Sequence, residues 1–127
     1  MKNIIDTHIV MWVASNAPHI TESAKRAIFS PESENFVSIV SAWEIAIKIS
    51  IGKLRLDGGV SEFLKIMYEN GFELLPIKKE HLKQVEILPL LHRDPFDRLL
   101  IASAVSEGMN LITADMNIHN YNVPWIW

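Results

Sequence analysis

The chain has 127 residues, 49% of them apolar, with a formal net charge of −3 and no cysteine. This size and composition predict one domain over residues 1–127 built on one core, and the charge argues against a generic basic nucleic-acid coat. The missing cysteines exclude disulfides, thiolate metal sites and thiol nucleophiles, and no apolar run approaches the ~18–20 residues that span a bilayer.

The first apolar run, residues 3–6, reads as a strand that ends on Asp6, too early for a signal peptide. The expected location is therefore the cytoplasm, with no membrane partner. A helical pattern follows over 7–15, and another over 21–29 that starts at the capping residue Thr21. Residues 35–39 are β-rich and lead into an apolar helix predicted over 40–52. A further helix over 60–69 stops before Gly71, and Phe72–Leu75 resumes as a strand. After a helix over 79–88, Asp94-Pro95 is a strong start signal for a helix over 95–107, which Gly108 ends. A strand over 110–113, a short turn at 116–119 and a final strand within 123–126 complete the chain. Strands alternating with helices predict βαβ units, hence an α/β fold with a parallel sheet and helices on both faces.

Four acids occupy informative places in this pattern. Asp6 and Asp115 follow strands, while Glu44 and Asp97 lie early in helices. In open α/β sheets, ligands bind beyond the carboxyl ends of the strands, where such positions converge. Each acid also has a plain structural reading. Asp6 suits a cap for the helix that begins at Thr7, and Asp115 a cap for the turn at 116–119. Glu44 has Lys48 four residues on, in the favourable order for a surface ion pair. Asp97 stands three residues after the cap Asp94, where an acid favours the helix dipole. Its face, however, continues through Ile101 and Ala104, which directs it inward.

The set carries more than its members. Like charges ~4 Å apart repel by ~4 kcal/mol at an effective dielectric of ~20, so clustered carboxylates call for a hard cation. Mg²⁺ or Mn²⁺ accepts oxygen ligands and supports phosphodiester hydrolysis without a side-chain nucleophile. Thr113 lies two residues before Asp115 on the same side of the strand and is placed to orient it. Basic residues at 48, 53, 55, 93 and 98 are candidates to meet phosphates, and Ser41, Glu44, Lys48 and Arg55 are expected on one side of a helix. The five histidines show no metal-ligand spacing, which predicts solvent-facing or local capping roles. Trp43 is expected in the core.

The segments 5–12, 41–45, 92–102 and 111–115, in this order and spacing, resemble the PIN-domain (PilT N-terminus) ribonucleases, specifically the VapC-type toxins of toxin–antitoxin pairs. The aromatic tail 121–127 fits as well. The resemblance implies a three-layer, PIN-like fold with strand order 3-2-1-4-5. It implies a metal-dependent endoribonuclease whose acidic quartet Asp6, Glu44, Asp97 and Asp115 binds Mg²⁺ or Mn²⁺ and acts on RNA. It further implies a homodimer and a small cognate antitoxin. Thr7, Thr113, Arg98 and Asp94 are expected as substrate contacts or supports of the site rather than primary ligands. Two other functions fit part of the pattern. One is a PIN-fold binding module with weak catalysis, against which the intact quartet weighs. The other is a different Asp/Mg²⁺ phosphoryl-transfer enzyme, for which His8 stands where a second Asp would be wanted.

Overall fold

The first strand of the chain is also the central strand of its sheet. The computed structural model describes every residue from Met1 to Trp127. The elements are β1 (Lys2–Ile5), α1 (Thr7–Ala14), α2 (Glu22–Phe29), β2 (Glu34–Ser38), α3 (Ile39–Ser50), α4 (Gly59–Glu69), β3 (Glu73–Leu75), α5 (Lys79–Ile87), α6 (Pro95–Glu107), β4 (Asn110–Ile112), α7 (Met116–His119) and β5 (Trp125–Ile126). The strands pair in parallel in the order β3-β2-β1-β4-β5. The order expected from the family resemblance is therefore present, and every strand and helix falls within a few residues of its sequence-based position.

Alternation along the central strands sets the layers. Ile4 and Leu111 pack in one apolar cluster with Leu100, Ile101 and Ala104 of α6. Their neighbours Ile5 and Ile112 pack in another, with Ile9 and Val10 of α1 and Phe63 and Met67 of α4. Strands buried on both faces are what an all-parallel sheet covered by helices requires. Each fully buried Ile or Leu contributes ~1.5–3 kcal/mol relative to exposure, so these clusters hold the helices on both sides.

Register is pinned by a polar ladder as well as by packing. Asn3 pairs in register with Asn35 and Asn110. Its Nδ2 donates to Asn35 Oδ1 at 2.9 Å and to the Ala27 carbonyl at 3.0 Å, while Asn110 Nδ2 donates to Asn3 Oδ1 at 3.2 Å. No buried side-chain polar atom lacks a partner. A one-residue slip would strand these amides in a buried layer, so the slip is disfavoured.

The chain runs from β1 outward through β2 to β3, then returns to the other side of β1 for β4 and β5. The order thus reverses between β1 and β4, which places a crevice at their carboxyl ends. Helix ends follow the predicted chemistry. Asp94 caps α6 by accepting from Phe96 N at 2.8 Å and Asp97 N at 3.3 Å, with Pro95 at the first helical position. Gly108 closes the same helix at φ 66°, a conformation that disfavours residues with a Cβ. No helix is long and apolar enough to cross a membrane.

Candidate active site

At the crevice, Asp6, Glu44, Asp97 and Asp115 line one cleft of about 470 Å³, together with His8, Trp12 and Lys48. Each acid arrives on a different element. Ile5 is in register with Ile112, so the next pair along the two strands is Asp6 and Thr113. Accordingly the Thr113 hydroxyl donates to Asp6 Oδ2 at 2.7 Å. Thr113 Oγ1 also accepts from Asp115 N at 3.1 Å, so one hydroxyl positions both strand-end acids.

Asp6 occupies the cap position of α1 yet makes no side-chain capping bond. Its carboxylate is therefore not accounted for by helix initiation. Asp115 does cap, accepting from Asn117 N at 2.9 Å through Oδ1. Glu44, 8% exposed, is held from two sides. Lys48 Nζ lies 3.0 Å from Oε2, the ion pair expected from the spacing. Thr7 Oγ1 lies 3.1 Å from Glu44 Oε1 and 2.8 Å from Ser41 Oγ. An ionised carboxylate only accepts, so Thr7 donates to Glu44 and Ser41 donates to Thr7.

Asp97 has a partner of its own, His92, whose Nε2 lies 2.8 Å from Oδ2. Burial pushes the Asp97 carboxyl up to about 7 from its ordinary 3.8, against the His92 hydrogen bond, and the charges of Asp94, Asp6 and Asp115 push the same way. Asp6 is also raised, first by burial and further by Glu44, with Thr113 and His8 opposing. Both shifts mark carboxylates withdrawn from water and facing one another. The tightest grouping of possible ligand atoms is His92, Asp94 and Asp97, all within 4.8 Å of one another. Asp94 Oδ1 is already engaged by two backbone N–H groups, and the quartet encloses a wider space. Oxygen donors around a cleft of this breadth suit a hard divalent cation that keeps part of its water shell.

The PIN domain family model matches residues 4–123. The chain belongs to the PIN domain family. It is 24% identical over 132 residues to Ribonuclease VapC22 of Mycobacterium tuberculosis, covering 95% of this chain and 92% of that protein. Among solved structures it is similar to VapBC2 from Rickettsia felis bound to a DNA fragment from their promoter, at a TM-score of 0.74 and 14% identity, over 98% of this chain and 97% of the other. VapBC-1 from nontypeable Haemophilus influenzae gives a TM-score of 0.70 at 16% identity, over 98% and 96%. At these identities the structural likeness concerns the fold.

Several expectations change in this PIN domain. Trp43 is not in the core: it is 58% exposed and meets Phe96 edge-on at 5.3 Å. The apolar stripe of α3 that faces the sheet runs through Ala42 and Ile45 instead. Arg55 does not share a helical face with Glu44, because α3 ends at Ser50. Arg98 is not available to phosphates. Its guanidinium donates to the carbonyls of Val85, Leu88, Pro89 and His92 and to the Tyr121 hydroxyl, between 2.9 and 3.4 Å. It is a support that holds the segment carrying His92.

The histidines are more engaged than their scatter suggested. His81 is fully buried. It accepts from Lys78 N through Nδ1, the expected local cap, but its Nε2 also reaches Glu107 Oε1 at 2.9 Å across to α6. His119 stacks on Trp125 at 3.7 Å. His92 is the residue that sequence reasoning missed at the site. The available signal was its place five residues before Asp97 in a segment stopped by Asp94-Pro95, which folds the chain back over the first turn of α6.

Proposed function

We propose that this PIN domain is a divalent-metal-dependent endoribonuclease and the toxin of a toxin–antitoxin pair, acting on RNA in the cytoplasm. The observation that carries the reading is the convergence of Asp6, Glu44, Asp97 and Asp115, from four separate segments, on one cleft. The relative VapC22 is a ribonuclease, and the similar VapBC structures pair such a chain with a second protein.

Mg²⁺ or Mn²⁺ is the cofactor that this donor set fits: all-oxygen ligands, with two carboxyls raised by burial and mutual charge. When bound, such an ion polarises a phosphodiester and makes hydroxide available from water near neutral pH. Asp6, Asp97 and Asp115 hold it, each with one oxygen fixed by a hydrogen bond to Thr113, His92 or the Asn117 backbone. Glu44, oriented by Thr7 and paired with Lys48, completes the acid set of the cleft. Lys48 lines the cleft as well, where its ammonium meets a phosphate oxygen of the incoming strand. A small antitoxin covers the cleft. The exposed Trp43, seated on Phe96, gives the chain an apolar face for a second copy of itself.

The direct test is incubation of the purified chain with mixed cellular RNA and Mg²⁺ or Mn²⁺. Endonucleolytic fragments are expected, and EDTA or Asp6→Asn abolishes them. Asn keeps the acceptor for Thr113, so this variant is expected to fold. Cleavage undiminished by either change overturns the proposal.

A further inference from the structure

Beside the acidic cleft lies a second cavity, of about 230 Å³ and opposite character. Met11, Trp12, Ile45, Leu54 and Leu56 give it apolar walls, no carboxylate lines it, and Lys48 and Arg55 both do. The chain after α3 builds it. Lys53 N and Leu54 N both bond back to the Lys48 carbonyl, at 2.8 and 3.1 Å, which turns residues 54–56 toward α1. The Lys48 ammonium is shared with Glu44, whereas Arg55 is exposed and forms no ion pair. His8, Trp12 and Lys48 line both cavities, so the two are one continuous surface.

We propose that this pocket receives one unpaired nucleobase of the RNA strand whose phosphodiester lies in the acidic cleft, with Arg55 meeting a neighbouring phosphate. The inference rests on the ribonuclease reading and adds to it a base-binding subsite. Three observations carry it. Aromatic and aliphatic walls are how proteins hold unstacked RNA bases, since every base presents an apolar face. The free charge is complementary to a phosphate: Arg55 forms no ion pair, and no carboxylate lines the pocket. The shared wall lets a strand pass from one cavity to the other over Trp12 without leaving the surface.

The test uses the full chain and a single-stranded oligouridine octamer carrying 4-thiouridine, with Ca²⁺ replacing Mg²⁺ during binding. Ultraviolet crosslinks are expected on peptides containing Met11–Trp12 and Leu54–Leu56. Arg55→Glu changes an exposed side chain and should weaken octamer binding about tenfold while lowering the salt dependence by about 0.7 in log–log slope. Removing one base from the octamer should weaken wild-type binding about tenfold. Crosslinks confined to other peptides, or an Arg55→Glu variant that binds and cleaves like wild type, overturn the pocket assignment and leave the ribonuclease reading standing. If Arg55→Glu instead spares RNA and weakens an acidic amphipathic peptide, the pocket belongs to a protein partner and the inference fails. Absence of any RNA cleavage by the wild-type chain removes both readings.

Discussion

Asp97 is the residue in which the opposing demands of this site are most visible. It is buried, faces other carboxylates and is steadied by His92, and its carboxyl rises to about 7. Between its ordinary 3.8 and that value, the folded protein holds a proton that the unfolded chain has released. The stabilisation is therefore fully present below the unfolded value and is lost as pH rises through 7. In EDTA, the melting temperature of wild type relative to Asp97→Asn should fall by about 5 °C or more from pH 5 to pH 8, and Mn²⁺ at pH 8 should restore it. A difference that stays constant, or grows, with rising pH contradicts this. Thr113 acts at the same scale through one hydroxyl that serves both Asp6 and Asp115. Thr113→Val keeps shape and burial but removes that hydroxyl, so Mn²⁺ affinity should drop about tenfold or more. Calorimetry showing unchanged affinity would mean that the two acids need no such support.

At the scale of elements, local chemistry was legible where one residue determines one feature. Thr21, Asp94-Pro95 and Gly108 mark helix ends in the sequence and do so in the structure. Asp6 and Asp115 were legible because strand ends in a parallel sheet have few places to go. Trp43, Arg98 and His92 were not, because their surroundings come from segments distant in the chain or folded back upon it. Trp43 has the hydrophobicity of a core residue, but its direction is set by how α3 meets α6. Arg98 reads as a surface charge until the 85–92 segment closes over it and presents its carbonyls. That arrangement makes Arg98 a structural hub. Arg98→Ala should lower stability by about 2–4 kcal/mol in urea denaturation, because several carbonyls and the Tyr121 hydroxyl lose a charged donor. Arg98→Lys recovers only part, since a point charge cannot reproduce the guanidinium fork. A loss below about 0.5 kcal/mol for the alanine variant would show that the segment holds itself without Arg98.

For the molecule as a whole, order and surface act together. A sheet whose first strand is central brings residues 6 and 115, at opposite ends of the chain, to neighbouring strand ends, and helices from either side supply residues 44 and 97. The same packing leaves Trp43 exposed on Phe96 and places it one residue from Glu44. Tryptophan is enriched at interface cores, so if Trp43 on Phe96 is the self-association face, Trp43→Glu should convert a dimer to a monomer in sedimentation analysis. A wild-type chain already monomeric at micromolar concentration, or a variant that stays dimeric, contradicts the self-association face. The proposed function requires that four acids, far apart in sequence, form one divalent-cation site. Its most direct test is Mn²⁺ binding by calorimetry to the wild-type chain and to Asp6→Asn, Glu44→Gln, Asp97→Asn and Asp115→Asn, each checked for folding by circular dichroism. The account predicts saturable binding that each of the four folded variants weakens. Mn²⁺ affinity left undiminished in these folded variants would contradict it.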